Sequence, residues 1–413
     1  MKFSRLSGAA LAVAALVAAM VASAAYGIGS EIIAGGQLGE VSCISVGGAD
    51  TCTSVGTVPM SNPTGLGLTS DGSRLFVAAN SSDTVAIFKR DRASGALVPW
   101  IKPNCMSESG AAPCSQGHGL SGPVDVAGAG ASAFVISSGS DALTSLTKDG
   151  QSGEWKYVGC LSQPAADTCT AGRALTDPSA VLAVGSFVYV GGPSTLAVFK
   201  VGEKSTLKQV SGTAGCITPG GVGGCADNNG HLSGAVQDMA TSRDGKSLYV
   251  VDGTSLLTYS RDLSTGELTF SASTAMSNPT GVDLSPNSQF LYVAAQGGNA
   301  VEVFSRDKTG ALTHQSSASV AAPSRLIVHK SGRVVYVVSG DAVVNFKRDP
   351  RTGALTQLPG QAGCISETGS GGSCMHGSGL AGGSDILSTG TNHVYVSGTT
   401  FNSVAVMKIN RSS

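Results

Sequence analysis

The sequence predicts an all-β protein, a seven-bladed β-propeller of four-stranded antiparallel blades closed by an N-terminal strand that completes the last blade. Three observations predict it. A short apolar segment with a central aromatic recurs seven times, and a hairpin turn of nearly constant spelling recurs four times. Ten cysteines fall into five tandem pairs with none left over.

The apolar segments are Leu75-Phe76-Val77, Ala133-Phe134-Val135, Val188-Tyr189-Val190, Leu248-Tyr249-Val250, Leu291-Tyr292-Val293, Val335-Tyr336-Val337 and Val394-Tyr395-Val396. β-Branched and aromatic residues bounded by Gly, Asn, Ser or Asp read as strands, and no sustained helical periodicity appears beyond the N-terminus. The aromatic landmarks lie 58, 55, 60, 43, 44 and 59 residues apart. A unit of about 43 residues fits one propeller blade, and the longer units carry a cysteine loop. A turn precedes several copies (Asp71-Gly72, Asp244-Gly245), and a further strand follows, as in Thr84–Phe88 and Ala300–Phe304.

Next comes the hairpin: Arg90-Asp91 to Gly95, Arg261-Asp262 to Gly266, Arg306-Asp307 to Gly310 and Arg348-Asp349 to Gly353. Asp bonds back to the turn backbone, and Gly takes the positive φ that closes it. An Arg-Asp pair repeated in four units is read as part of the hairpin, not as catalytic. The innermost strand opens near a proline in five units: Pro63, Pro123, Pro178, Pro279 and Pro323. The last unit stops after its third strand, Ser403–Lys408. Its missing outer strand and cysteine loop appear at the other end of the chain, from Gln37-Leu38 to Cys52, in a stretch that resembles Gln357-Leu358 to Cys374. Residues 25–413 thus form one domain in which residues 25–52 complete the last blade, and the closed ring leaves no free sheet edge.

The cysteine pairs are Cys43 with Cys52, Cys105 with Cys114, Cys160 with Cys169, Cys216 with Cys225 and Cys364 with Cys374. Structural zinc favours tighter Cys spacing, and exported thiols oxidise, so five local disulfides are expected. Lys2 and Arg5, an apolar run from Gly8 to Val21 and Ala22-Ser23-Ala24 make a secretory signal peptide over residues 1–24. The expected location is therefore secreted, extracellular or periplasmic, with no stable membrane insertion after cleavage. Removing Lys2 and Arg5 takes 26 basic residues to 24, against 27 acidic ones, a net charge of −3. No basic cluster marks a nucleic-acid surface. A monomer is expected, because a closed ring offers no strand edge for pairing.

The spelling D-G-x-x-L-Y-V-A, followed by N-x-V-x-V-F-x-R-D-x-x-T-G-A-L, resembles the YVTN-type repeats and the seven-bladed lactonase-like propellers. The resemblance spans essentially the whole mature chain. It implies the propeller fold and, as an activity, opening of a lactone ring by polar residues of the central channel. It supplies no catalytic set residue by residue.

Two residues after the strand-opening proline, repeat alignment gives Gly65, Asp125, Ala180, Gln237, Gly281, Arg325 and Asp385 near the channel mouth. Asp125, Gln237, Arg325 and Asp385 depart from the small residues used elsewhere, and Asp283 lies two positions beyond Gly281. These five are the candidate ligand-binding residues, with Arg325, Asp125 and Asp385 the candidate catalytic ones. An arginine among carboxylates can orient an anionic or carbonyl ligand, and paired carboxylates can hold calcium, the one cofactor expected here. The alternative is a solvated channel lined by paired charges. His118, His231 and His376 each follow a loop's second cysteine in different units and read as surface repeats. The matches to G-x-G-x-x-G at Gly117–Gly122 and Gly377–Gly382 lead into strands, not the helix that nucleotide binding needs.

Two functions follow. The favoured one is a disulfide-braced binding module for a protein, glycan or small ligand at its top face. The five loops would ring that face and leave a gap over units four and five, where Ser273–Asn278 and Ser317–Ala322 connect directly. The alternative is a lactonase-like hydrolase working in the channel. Convergence of Arg325, Asp125 and Asp385 on one point favours the enzyme.

Overall fold

The computed structural model describes residues 36–99, 104–166, 168–390 and 392–410; the expected signal peptide, residues 1–24, lies outside them. Seven sheets, blades 1 to 7, are strung along the chain. Their inner strands are Pro63–Leu68, Pro123–Ala129, Ala180–Val184, Asp238–Thr241, Pro279–Leu284, Pro323–Val328 and Gly383–Ser388. Each inner strand touches the next, and the last touches the first, so the ring is closed. Among the described residues the helical turns are short 3-10 segments, and no helix is long and apolar enough to cross a membrane.

Closure follows the expected route. The N-terminal strand Leu38–Ser45 pairs antiparallel with Ser403–Ile409, Leu38 opposite Ile409 and Ser45 opposite Ser403. The Tyr336 hydroxyl of blade 6 donates to the Gly36 carbonyl at 2.9 Å and pins the incoming chain.

All five expected disulfides form, and no free cysteine remains among the described residues. Cys43 is bonded to Cys52 in blade 7, Cys105 to Cys114 in blade 1 and Cys160 to Cys169 in blade 2. Cys216 is bonded to Cys225 in blade 3, and Cys364 to Cys374 in blade 6. Blades 4 and 5 are plain four-stranded sheets, with outer strands Leu268–Ala275 and Leu312–Ser319. The other five exceed the four-stranded expectation. At the second cysteine of each loop the chain adds a two-residue parallel strand, such as Ser115–Gln116 beside Cys105–Ser107. Thr170–Ala171 follows Cys169 in the same way, and Ala226–Asp227 follows Cys225.

The core lies between blades. Seven apolar clusters each join side chains of two adjacent blades. Second strands are covered on both faces, which is why Leu75–Ala79 and Phe290–Ala295 are apolar throughout.

The hairpin arginines tie those interfaces together. In four junctions an arginine Nε donates to the tyrosine hydroxyl of the preceding blade: Arg90 to Tyr395 (2.7 Å), Arg306 to Tyr249 (2.6 Å), Arg261 to Tyr189 and Arg348 to Tyr292. Each tyrosine in turn donates to the hairpin glycine's carbonyl, Gly95, Gly310, Gly266 or Gly353. The Arg-Asp repeats are therefore structural, as expected. Glycine is required at Gly353 twice over: its φ is +76°, and a Cβ would lie 2.3 Å from the Phe290 ring.

Candidate channel site

Inner strands are edge strands, so alternate backbone N–H groups face the channel and need acceptors. In blade 6 the His329 N–H bonds the Val334 carbonyl within the sheet, which turns the N–H groups of Val328 and Leu326 toward the channel. Three aspartates answer this need near the mouth. Asp125 accepts from its own neighbour Val126 (2.7 Å) and from Val181 of blade 3 (3.0 Å). Asp238 does the same for Met239 (2.8 Å) and Val282 of blade 5 (2.9 Å). Asp385 takes Ile386 (2.8 Å) and, across the closing junction, Leu66 of blade 1 (2.8 Å). One level deeper, Asp283 bridges Leu284 (2.7 Å) and Val328 of blade 6 (2.8 Å).

Hydroxyls complement these clasps. Thr64, Ser179, Thr280 and Ser384 donate to the carbonyls of Pro123, Val236, Pro323 and Pro63 in the following blade. Six junctions thus carry a carboxylate or hydroxyl clasp at the channel wall. Among the described residues the junction from blade 6 to blade 7 carries neither. There Glu367 accepts the N–H groups of Leu380 and Ala381, and Asp50 from the N-terminal segment accepts that of Gly379.

The expected set is brought together with one shift of register. Asp125, Gln237, Arg325 and Asp385 line a single cavity of about 510 Å³. The repeat position in blade 4, however, belongs to Asp238, which lies opposite Val251 as Arg325 lies opposite Val338 and Asp385 opposite Ser397. Gln237 sits one residue before it, and its side-chain amide donates to the Ala235 carbonyl at 3.2 Å. Blade 4 has no strand-opening proline, and alignment on proline slipped there by one residue. Asp283 lines a separate cavity at the opposite mouth, beside Arg243 and Lys330.

Among the described residues Arg325 is the only cation lining the 510 Å³ cavity. Its Nη1 donates to the carbonyls of Thr280 and Ser324, which lays the guanidinium against blade 5. Its charge reaches Asp125, Asp238 and Asp385 alike. Burial outweighs that help: desolvation raises all three carboxyls, and Asp385, further raised by Asp125, reaches about 7. Burial also raises Asp283 to about 7. Among the described residues no group of three or more His, Cys, Asp or Glu is arranged to hold a metal ion. The loop histidines stay apart, with His118 3.5 Å from Glu108 and His231 stacked on Phe270 at 3.7 Å.

Residues 225–328 match the family model described as lactonase, 7-bladed β-propeller. The resemblance read from the repeats to the seven-bladed lactonase-like propellers therefore holds, for fold and for this stretch of sequence. No curated protein matches the chain. Among solved structures, a putative 6-phosphogluconolactonase from Bacteroides fragilis is 17% identical over 79% of this chain and 94% of its own, with a TM-score of 0.57. The periplasmic gluconolactonase of Pseudomonas aeruginosa is 18% identical over 73% and 86%, at 0.56. Hydrazine synthase of Kuenenia stuttgartiensis is 14% identical over 86% and 97%, also at 0.56. Similarities at this level show the fold alone, since one fold carries many chemistries.

Proposed function

We propose that this chain is an exported lactonase-like hydrolase that opens a neutral lactone in its central channel. The observation that carries the reading is the convergence of Arg325 with Asp125, Asp238 and Asp385 on one cavity. Convergence is what separates the enzyme from the binding module, and it reverses the preference drawn from sequence. Arg325 would polarise the lactone carbonyl and stabilise the oxyanion formed when water attacks it. Asp385, with a pKa of about 7, would take the attacking water's proton and return it to the departing ring alkoxide. Each Asp385 oxygen already accepts one backbone N–H and keeps a lone pair for this exchange.

Charge and compartment narrow the substrate. Three carboxylates against one guanidinium disfavour a phosphorylated lactone, and the five disulfides suit an exported enzyme meeting unphosphorylated sugar lactones. The periplasmic gluconolactonase among the structural neighbours accords with that choice. The test is ring opening of a lactone panel, with calcium and with chelator, followed across pH. Turnover of glucono-1,5-lactone should rise through about pH 7 as Asp385 ionises, and the 6-phosphate should be the poorer substrate. Absence of turnover on every lactone would return the function to the loop-braced top face.

A further inference from the structure

At the level of the carboxylate clasps, seven inner strands present seven channel-facing N–H groups. Asp125, Asp238 and Asp385 take six of them, two each. The seventh is Leu326, which has no acceptor among the described residues, although the residue is only 3% exposed. Backbone N–H groups in a folded chain are nearly always paired, so a position that breaks the ring's own rule calls for a reason.

Two features explain the exception and give it a chemistry. The residue that would clasp Leu326 from blade 5 is Gly281, which carries no side chain, and a Cβ there would lie 3.3 Å from the Leu326 nitrogen. Arg325, at the repeat position of blade 6, cannot accept a hydrogen bond. It instead folds its guanidinium onto the Thr280 carbonyl, next to the same glycine. A backbone N–H and a guanidinium therefore flank one notch, beside the cavity that Arg325 and the three carboxylates line.

We infer that this notch receives an sp² oxygen of the ligand, the lactone carbonyl before ring opening and the product carboxylate after it. The Leu326 N–H and the free guanidinium nitrogens of Arg325 donate to that oxygen, as the other blades' N–H groups donate to aspartate. The inference rests on the channel being the ligand site, and it assigns the two donors and the glycine that leaves them room.

The probe is sodium gluconate, titrated into the protein labelled with [15N]leucine, the Leu326 amide being identified by its loss in Leu326→Ile. Gluconate should shift the Leu326 amide saturably. Gly281→Asp, which installs the clasp found elsewhere in the ring, should keep the fold and weaken gluconate at least about tenfold. Gly281→Ala, which adds only a Cβ 3.1 Å from the Arg325 Cα and no acceptor, should weaken it less than Gly281→Asp does. A Leu326 amide that stays still at any gluconate concentration, or unaltered gluconate binding by folded Gly281→Asp, would overturn the inference. A Leu326 shift without lactone turnover would uphold the notch and reject hydrolysis. Turnover with a silent Leu326 would do the reverse.

Discussion

Asp283 isolates the electrostatics of this channel from its proposed chemistry. Both of its oxygens accept backbone N–H groups, it lies a level below Arg325, and burial holds its carboxyl near 7. A carboxyl raised in the folded state binds its proton more tightly there than in the unfolded chain, so its contribution is full below about pH 4 and is lost as pH rises through about 7. Melting temperature should therefore decline between pH 4 and 7, and Asp283→Asn should flatten part of that decline; an unchanged slope would contradict the assignment. Single residues also show where sequence reading reaches its limit. Asp125, Arg325 and Asp385 were legible because they interrupt a small-residue position. Asp238 was missed because the proline used for alignment is absent from blade 4. Counting back from the aromatic landmark would have found it: the other six positions lie 9 to 11 residues before theirs, Asp238 lies 11 before Tyr249, and Gln237 lies 12.

At the scale of elements, the hairpin was read as structural from its repetition, but its partner was invisible. Arg348 bonds Tyr292, 56 residues earlier and in another sheet, and no local pattern encodes that meeting. Removing the hydroxyl in Tyr292→Phe strands both the arginine Nε and the Gly353 carbonyl. The expected cost is about 1–3 kcal/mol in denaturant unfolding, and a neutral effect would mean the relay is incidental. The cysteine pairing was legible, since each bridge joins residues only 9 or 10 apart, but the short parallel strand at each second cysteine was not. Replacing Cys105 and Cys114 by serine should cost roughly 2–3 kcal/mol, the loop-entropy value for so short a bridge, and leave the blade order intact. What sequence did not reveal is that the channel aspartates are also clasps between blades, because the register of one blade against the next is set by packing alone.

For the whole molecule, the least-clasped junction of the channel wall lies beside the blade that the N-terminal strand completes. Between blades 6 and 7 the channel wall lacks the side-chain bonds found at the other junctions among the described residues. The joint relies instead on Glu367, on Asp341, which accepts the Gly382 N–H, and on the Gly340 carbonyl, which accepts that of Gly383. Burial first, and the adjoining Asp50 as well, raise Glu367 to about 7, so this joint should weaken as pH rises through that value. Glu367→Gln should lessen the loss of melting temperature between about pH 4.5 and 7; a variant that follows the wild type throughout would place the pH response elsewhere. The same ring builds the proposed site, by setting one arginine among carboxylates contributed by three other blades. The most direct test of that claim is the initial rate of glucono-1,5-lactone opening by Arg325→Ala beside the wild type, with both shown to melt alike. Loss of an oxyanion donor predicts a fall of about 10²–10³ in kcat. A folded variant that opens the lactone at the wild-type rate would contradict the account.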